Sequence, residues 1–478
     1  MAVPTVPTVP TSTEGAGPRR YGPRHRWVVL AVGVGAQGSF SAMFSGIPVT
    51  GVSMRAGYHL STGALGLALA CLGLGVAVSD IVWGLLTDRF GDRRVLLTGL
   101  TSTGVLLVVM ATAVTPADGA GTALLAVCLT IAGALGGSVN GASGRAVMTW
   151  FGEGERGFAM SVRQTAIPAG GAVGVALLPW LAQSYGFRAV YAVPAAFCLL
   201  AAAATWRWLH EPTPRPAVLP TTTTGPRGPS PVPQTTTGLS APVAESAVRT
   251  SRVTESAART SPAAESAVPA SPVAEDLGLR SPLRRWDVWR LALAGALLTV
   301  PQFAVLTFTA IFLHDAKGAG TALAGLTVLI AQLGGGAVRI WTGRRTDRAE
   351  DSASARRACL RRIGVLAGIV MAGAAVLTDA PTPITVTALA LGGLLANSWH
   401  GVAYTEIAAM AGAGRAGTAL GLIGTTLFAM AFLTPLLIPV VLAHTSWATV
   451  WGLAAAASLA AVPLAPAAFS ARRSRRAR

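Results

Sequence analysis

The sequence predicts an all-α integral membrane protein whose twelve transmembrane helices form two six-helix bundles related by a pseudo-twofold axis. Three observations lead to this fold class: the composition, the number of long apolar stretches, and an internal repeat. Of the 478 residues, 52% are hydrophobic and only 12% are charged. Soluble proteins of this length do not have such a composition, so we expect much of the apolar surface to face lipid.

Twelve apolar stretches are long enough to cross a bilayer, whose hydrocarbon core of about 30 Å needs about 20 apolar residues in a helix. Six of them lie at residues 27–49, 62–86, 95–115, 121–150, 157–182 and 187–209. The other six lie at residues 287–313, 321–343, 361–378, 384–409, 416–442 and 447–469. The longer stretches fit the bilayer if their helices tilt.

The two groups of six stretches are related in sequence. The segment from Gly84 to Arg89 recurs from Gly343 to Arg348, and further matches follow at a spacing of 259 or 260 residues. These matches pair Asn140 with His400, Gly157 with Gly417, Thr165 with Thr425, and Pro179 with Pro439. Repeated halves in a very apolar chain indicate a transporter with its substrate site between two related bundles.

The distribution of basic residues predicts the orientation in the membrane. The short loops on one side carry many arginines, whereas those on the other side carry only Arg55, Arg188 and Lys317. Because basic loops remain in the cytoplasm, both termini are predicted to be cytoplasmic. Lys317 is the only lysine beside abundant Arg, Ala and Gly, which is typical of a GC-rich bacterial genome. We therefore expect a multi-pass protein of the bacterial inner membrane.

The composition also predicts the segments outside the bundles. Residues 1–26 are predicted to be a disordered cytoplasmic tail, and residues 470–478 a basic cytoplasmic tail. Between the bundles at 27–209 and 285–469, residues 210–284 are rich in Pro, Thr, Ser and Ala and contain a ten-residue repeat. This segment has too few apolar residues to fold and is predicted to be a disordered cytoplasmic linker. A plain tether is favoured over a regulatory docking segment.

Several functional classes are excluded. The net charge of +17 comes from arginines that flank the apolar stretches, so it indicates contact with the lipid bilayer rather than with nucleic acid. The four cysteines lack metal-ligand spacing. The sequence contains no phosphate-binding loop, catalytic triad or nucleophile elbow, so we expect neither an enzyme nor a bound cofactor or metal. The driving force must then be an ion gradient or the gradient of the substrate itself.

A loop motif joins the second and third predicted helices. It contains Gly84, Asp88, Arg89 and Gly91. We expect Gly84 to permit close helix contact and Gly91 a tight turn, and Asp88 to accept hydrogen bonds from a neighbouring helix N-terminus or an arginine. This loop resembles the signature of the major facilitator superfamily. The resemblance covers both halves and implies a monomer that works by rocking one half against the other.

The second copy of the motif is less complete, since it keeps Gly343 and Asp347 but lacks the following glycine. The segment from Gly144 to Gly171 resembles helices four and five of bacterial members of the family, many of which are regarded as carriers of organic anions or as transporters without an assigned substrate. Drug/proton antiporters of the family have a Gly-Pro-x-x-Gly-Gly motif in helix five. Here the motif after Pro168 is one residue short, and Ile167 replaces the first glycine. This departure weakens the interpretation as an efflux antiporter without excluding it.

Four charged residues lie within the predicted helices at equivalent positions of the two halves. Asp80 corresponds to Arg339, and Arg145 lies one position before the equivalent of Glu406. We hypothesise two ion pairs, Asp80 with Arg145 and Arg339 with Glu406, because charges inside a membrane need partners or a function. The pairs are either structural or part of a cytoplasmic gate.

Arg163 is a further charged residue within the fifth predicted helix. No acidic residue lies within four residues of it on that helix. An arginine at this depth indicates an anionic substrate, which it can bind with two hydrogen bonds if the anion is a carboxylate. Gln164 and Thr165 would add hydrogen bonds. The alternative is a structural arginine that extends to the membrane surface or binds backbone carbonyls.

Polar residues on four other helices are predicted to line the same cavity. Asn140 and His400 occupy equivalent positions of the two halves, and His400 is a candidate proton carrier because histidine titrates near neutral pH. A histidine that only packs between helices is the alternative. The remaining cavity candidates are Tyr404, Gln37 and Gln302.

These features predict a secondary active transporter of a small solute that works by alternating access. The expected substrate is an organic anion that is moved together with protons. The alternative is a proton-driven efflux antiporter for drugs or secondary metabolites. A membrane receptor would require a folded cytoplasmic output domain, for which the predicted linker and short tails leave no place.

Overall fold

The computed structural model describes residues 21–22, 24–210 and 281–466. The predicted linker and basic C-terminal tail lie almost entirely outside these ranges, as does most of the predicted N-terminal tail. All regular secondary structure in the described ranges is helical. The first half contains α1 (His25–Val49), α2 (Thr62–Phe90), α3 (Asp92–Ala113), α4 (Thr122–Gly136 and Ser138–Trp150), α5 (Glu153–Ser184) and α6 (Gly186–Trp208). The second half contains α7 (Trp286–Asp315), α8 (Thr321–Asp347), α9 (Ser352–Val376), α10 (Thr382–Ser398 and His400–Ala411), α11 (Ala416–His444) and α12 (Trp447–Leu464).

These helices are the twelve that the apolar stretches predict. In the described part of the chain, eleven are long enough and apolar enough to cross a membrane. The twelfth is α10, which is divided at Trp399 into two shorter helices. Trp399 itself has right-handed helical dihedral angles, with φ −80° and ψ −23°, so the chain continues in the same direction. The fold is therefore the predicted twelve-helix membrane fold.

Glycines allow the helices within each half to approach closely. In the first half, a Cβ atom on Gly46 of α1 would lie 2.8 Å from the backbone of Gly174 on α5. Between α3 and α6, Gly104 contacts Leu199, and Gly368 of α9 contacts Leu459 of α12 in the same way. The pairing α3 with α6 in one half and α9 with α12 in the other is the structural counterpart of the sequence repeat.

The outer surface of the helices is apolar. Large side chains are exposed along these faces, for example Leu67, Val78, Leu333 and Val376. Exposure of many such side chains on the membrane-crossing helices fits contact with lipid and accounts for the apolar composition.

Candidate functional site

The two halves meet at two glycine crossings near the end of the molecule that the arginine bias predicts to be cytoplasmic. At the first crossing, a Cβ atom on Gly84 of α2 would overlap with the carbonyl oxygen of Gly417 on α11. At the second crossing, Gly343 of α8 lies against the backbone of Gly157 on α5. The crossings are equivalent, since each joins one loop-motif glycine to a glycine of the other half.

An aspartate completes each crossing. Asp88 accepts hydrogen bonds from the backbone N–H groups of Gly417 (2.8 Å) and Thr418 (2.7 Å), in the first turn of α11. Asp347 accepts from the N–H groups of Gly157 (2.9 Å) and Phe158 (2.8 Å), near the start of α5. A carboxylate near a helix N-terminus is stabilised by the N–H groups and by the helix dipole. Each aspartate therefore holds its own half against the other.

The other motif residues have local roles. Gly91 has φ +88°, a conformation that favours glycine, and it connects α2 directly to α3. The side chain of Arg89 is exposed, and its guanidinium lies 5.3 Å from the centre of the Phe90 ring. Gly91 therefore has the predicted turn conformation, whereas Arg89 takes no part in the crossing.

The ion pair hypothesised between Asp80 and Arg145 is wrong. Arg145 instead contacts Asp92 at 2.8 Å and Asp88 at 3.5 Å. Asp88 lies in the last turn of α2 and Asp92 is the first residue of α3, and both are close to the last two turns of α4. Asp80 lies about 12 Å further along α2 than Asp88, at 1.5 Å per residue, which is too far for the same arginine to reach both easily.

The pair hypothesised between Arg339 and Glu406 is also wrong. Glu406 is 1% exposed and contacts Arg356 at 2.8 Å and Arg357 at 2.5 Å, both at the start of α9. Arg339 points the other way, into the contact between the halves, and its Nη1 donates to the carbonyl oxygen of Gln164 on α5 (2.6 Å). The equivalence of the positions in the repeat did not specify the direction of either side chain.

Arg163 lies fully buried in the interior of the first half. Its Nε donates to the Ser143 hydroxyl at 2.8 Å. Its Nη2 donates to Gln37 Oε1 at 2.7 Å and to the Asn140 carbonyl at 2.6 Å. Among the described residues, the partner of Nη1 is the Met160 sulfur at 3.9 Å, a weak acceptor. One end of the guanidinium is thus held by the protein and the other end is only weakly bound.

A chain of side-chain hydrogen bonds connects Arg163 to Asp80. Gln37 Nε2 donates to Asn140 Oδ1 at 3.0 Å. Asn140 Nδ2 in turn donates to Asp80 Oδ1 at 3.1 Å and Oδ2 at 3.2 Å. The four side chains come from α1, α2, α4 and α5, so this chain crosses the interior of the first half.

The second half contains a related arrangement. Gln302 of α7 donates to Asn397 Oδ1 of α10 at 3.0 Å, as Gln37 of α1 does to Asn140 of α4. Arg339 Nη2 donates to the Asn397 carbonyl at 2.6 Å and lies 3.3 Å from His400 Nδ1. For Nδ1 to accept this hydrogen bond, the His400 ring must be neutral and carry its proton on Nε2.

Gln164 and Tyr404 lie between these two arrangements. Tyr404 is buried and interacts electrostatically with both Arg163 and Arg339. The Gln164 side-chain amide is buried beside Tyr404, with which it interacts by a side-chain hydrogen bond. Thr165 differs, since it is half-buried and donates to the Val162 carbonyl of its own helix at 2.6 Å. The structure thus brings every predicted substrate residue except Thr165 into one polar cluster.

The polar cluster has more positive than negative charge. We define it by two cations, Arg163 and Arg339, one anion, Asp80, and the polar side chains between them, namely Gln37, Asn140, Gln164, Gln302, Asn397, His400 and Tyr404. All of these side chains are buried. With His400 neutral, the described residues give the cluster one unbalanced positive charge. Such an excess is costly inside a membrane unless an anion offsets it.

Aromatic side chains cover the polar cluster on the side away from the crossings. Phe40 lies one helical turn beyond Gln37 on α1, and its ring centre is 6.5 Å from that of Phe428 on α11. Phe44 is closer to Phe428, at 5.4 Å. These contacts again join the two halves, so the cluster lies between the crossings at one end and the aromatic contact at the other.

The sequence reasoning missed the partners of these charged residues. Asp92 was visible within the loop motif, and Arg356 and Arg357 in the next basic loop, but nothing in the repeat pairs them with Arg145 and Glu406. Ser143 was also missed as a partner of Arg163. The sequence contains one indication for Ser143: it lies on α4, and the short connection to α5 places these two helices side by side, so the Ser143 hydroxyl can face Arg163.

Comparison with known proteins identifies the family. The profile of the Major Facilitator Superfamily matches residues 34–433. Two proteins of Mycobacterium tuberculosis, from strains H37Rv and CDC 1551, are 28% identical over 442 residues, covering 92% of this chain and 85% of each relative. Both are named as uncharacterized MFS-type transporters, Rv2994 and MT3072.

Solved structures have the same fold at low identity. The proton:xylose symporter XylE matches with a TM-score of 0.67 and 16% identity, covering 93% of this chain and 95% of that one. The human organic anion transporter MFSD10 matches with a TM-score of 0.65 and 15% identity, covering 94% and 100%. FucP, a fucose:proton symporter of E. coli, matches in its outward conformation with a TM-score of 0.61 and 14% identity, covering 92% of this chain and 99% of that one. The chain therefore belongs to the Major Facilitator Superfamily and is a multi-pass membrane transporter rather than an enzyme.

Proposed function

We propose that the protein is a secondary active transporter of a small organic anion, which moves together with protons by alternating access. The observation that carries this proposal is the excess of buried positive charge in the polar cluster. A carboxylate bound beside Arg163 would offset that charge and would occupy the weakly bound Nη1 end of the guanidinium. The buried side-chain amide of Gln164, which lies beside Tyr404, would supply a further hydrogen bond.

Contacts between the halves support alternating access. The two glycine crossings and the Asp88 and Asp347 hydrogen bonds close the cytoplasmic end, while the cluster lies about 12 Å further in along α2 and α8, at 1.5 Å per residue. Rocking of residues 27–209 against 287–469 would break these contacts together and open the cluster to the cytoplasm. We assign the protein to the bacterial inner membrane, with both termini in the cytoplasm.

A monomer is sufficient for this mechanism. Arg163 and Asp80 come from the first half, and Arg339 and His400 come from the second half of the same chain. A complete cluster therefore forms without a second subunit, which supports a monomeric transporter.

The proposal predicts that small carboxylates stabilise the purified protein and that Arg163 is required for this effect. Stabilisation follows ligand occupancy, so a ligand raises the unfolding temperature only if it binds the folded state. We expect at least one of lactate, succinate and benzoate to raise the unfolding temperature of the wild type. The Arg163→Gln variant should show no such rise, and Arg163→Lys only a small one, because lysine lacks the planar two-donor edge.

The control for this experiment is Arg356→Gln. It removes another buried guanidinium, but one that lies at the cytoplasmic end of α9 and contacts Glu406 rather than the cluster. This variant should unfold at a lower temperature yet still be stabilised by the same anion. Stabilisation of the wild type by the lipophilic cation tetraphenylphosphonium alone, unchanged in Arg163→Gln, would contradict the anion proposal and favour a drug exporter.

A further inference from the structure

Asp80 is a buried carboxylate that lacks a cationic contact. It is fully buried in α2, and no Lys, Arg or His nitrogen of the described residues lies within 4.0 Å of it. Asn140 is the donor that reaches its two oxygens. The other acids near the contact between the halves are better compensated, since Glu406 has two arginines and Asp347 has two backbone N–H groups. An acid placed in this way inside a membrane helix needs a function.

Asp80 also lies where the two halves meet. A Cβ atom on Gly424 of α11 would overlap with Asp80 Oδ2, and one on Gly421 would overlap with the Asp80 carbonyl oxygen. The N–H of Ile81 donates to the Thr425 hydroxyl of α11 at 3.2 Å. Because α2 and α11 belong to different halves, their separation would open the Asp80 carboxylate to the transport passage. The same group would be closed off again whenever the halves come together.

The groups that act on Asp80 come from several helices. Asn140 of α4 is the direct neighbour, and α11 faces the carboxylate with glycines. The charged or titratable groups close enough to interact with it electrostatically are Arg163 of α5 and Tyr404 of α10. His400 is a poorer site for a proton, because adding one would place a second cation 3.3 Å from Arg339.

The hydrogen bonds between Arg163 and Asp80 all run in one direction. Arg163 donates to Gln37, Gln37 donates to Asn140, and Asn140 donates to Asp80. In each amide, the oxygen faces the arginine side of the chain and accepts a hydrogen bond, and the nitrogen faces the aspartate side and donates one. A carboxylate at the end of the chain only accepts hydrogen bonds, and it thereby fixes the orientation of both amides.

Protonation of Asp80 would change both the charge and the direction of this chain. The cluster would gain one positive charge, which strengthens its attraction for an anion. A protonated Asp80 can also donate to Asn140. If it does, both amides turn over, and Gln37 presents its NH₂ group to Arg163. Two donors cannot bond to each other, so Arg163 Nη2 would keep its bond to the Asn140 carbonyl but lose the one to Gln37, which frees one N–H group for the substrate.

We propose that Asp80 is the proton-binding group of the transporter, and that Asn140 and Gln37 transmit its protonation state to the anion-binding Arg163. This inference rests on the proposed function, which did not identify the proton site. One proton and one anion then favour each other's binding, and by thermodynamic linkage the effect is equal in both directions. The result is proton–anion symport driven by the proton gradient.

Infrared difference spectroscopy tests the proton site without any substrate. Spectra of the purified full-length wild type, recorded in mildly acid against mildly alkaline buffer, should contain the carbonyl-stretching band of a buried carboxylic acid. The band should lose the component of Asp80 in Asp80→Asn and become weaker. It should be unchanged in the control Asp118→Asn. Hydrogen bonds from Thr115 lower the pKa of Asp118, so this carboxylate stays ionised in the mildly acid buffer and does not contribute to the band. A band of unchanged intensity in Asp80→Asn would overturn the proposal.

Anion affinity at the two pH values tests the connection to Arg163. With lactate, succinate and benzoate as probes, kept ionised in both buffers, the wild type should bind more tightly in acid, by about 5-fold or more as is usual for coupled sites. Asp80→Asn carries a neutral mimic of the protonated acid, so its affinity should be the same at both pH values. Gln37→Leu should keep the infrared band of Asp80 but show a smaller pH dependence of anion affinity than the wild type, because only the effect of the added charge remains. This variant therefore tests the hydrogen-bond chain separately from the proton site, even if Asp80→Asn folds poorly.

The outcomes distinguish the two proposals. Persistent pH dependence in Asp80→Asn would assign the proton elsewhere and overturn this inference, while anion binding would still support the proposed function. Failure of every probe anion to bind the wild type would contradict the anion proposal, and the infrared band would then decide alone whether Asp80 binds a proton.

Discussion

Replacing Gly84 with alanine should open the end of the protein at which the two glycine crossings lie. A Cβ atom at this position overlaps with the Gly417 carbonyl oxygen of the other half, and a backbone atom cannot move aside as a flexible side chain can. Overpacking of this kind costs about 1–3 kcal/mol. The open state has no such contact, so the variant destabilises only the closed state. Because each 1.4 kcal/mol changes an equilibrium constant tenfold, the equilibrium between the closed and the open state should shift towards the open state by about 5- to 150-fold. Gly343→Ala should act in the same way at the second crossing.

A cysteine at Ser161 provides the measurement. Ser161 is fully buried at the second crossing, whereas Gly84 belongs to the first. Labelling of a cysteine at Ser161 in the Gly84→Ala variant therefore reports opening of the whole interface and not only of the substituted crossing. We expect faster labelling by a membrane-impermeant maleimide in Gly84→Ala, in a background without the native cysteines 71, 128, 198 and 359.

The matched control is Gly73→Ala, on the same helix, where nothing lies within 4 Å of the added Cβ. Alanine favours helix formation over glycine by about 1 kcal/mol, so this control should be unchanged or slightly more stable. Equal labelling rates in Gly84→Ala and Gly73→Ala would contradict the role of the crossing.

Replacing Glu406 with glutamine should cause the largest loss of stability. Glu406 is 1% exposed and contacts both Arg356 and Arg357, so the variant removes the carboxylate that offsets two guanidinium groups. Loss of one partner from a buried ion pair costs about 3–5 kcal/mol. Denaturant titration of the protein in detergent should show a decrease of this size in the free energy of unfolding.

Glu155→Gln is the matched control, because it removes a similar contact with Arg26 near the molecular surface. The two side chains of that pair are 41% and 32% exposed. Exposed pairs contribute only about 0–1 kcal/mol, so this variant should have almost wild-type stability. A small effect of Glu406→Gln, comparable to that of Glu155→Gln, would show that the three-residue contact does not stabilise the second half.

The sequence predicted the features that depend on spacing along one chain. Apolar stretches identify membrane helices because each helix must cross the same hydrocarbon thickness. Gly84 and Asp88 were recognisable because glycine at a crossing and an acid one turn later have a physical reason to occur together. The prediction that Asp88 reaches a helix N-terminus or an arginine agrees with its contacts to α11 and Arg145.

Features that depend on side-chain direction could not be predicted in this way. The repeat shows that Asp80 and Arg339 occupy equivalent positions, but equivalence does not define which neighbour each side chain meets. Arg145 meets Asp92 because the loop after α2 returns next to the end of α4, and Glu406 meets Arg356 because α9 begins beside the end of α10. The connection from Arg163 to Asp80 spans four helices, which no pattern in a single sequence reveals.

Exchange of a radiolabelled anion across proteoliposome membranes tests most directly whether the cluster carries an organic anion. Lactate, succinate or benzoate, whichever stabilises the purified protein, would be placed on both sides and its labelled form on one. We expect rapid exchange by the wild type and by Arg356→Gln, and no exchange by Arg163→Gln. Exchange that is equally fast in Arg163→Gln, or transport of tetraphenylphosphonium in place of any anion, would contradict the account.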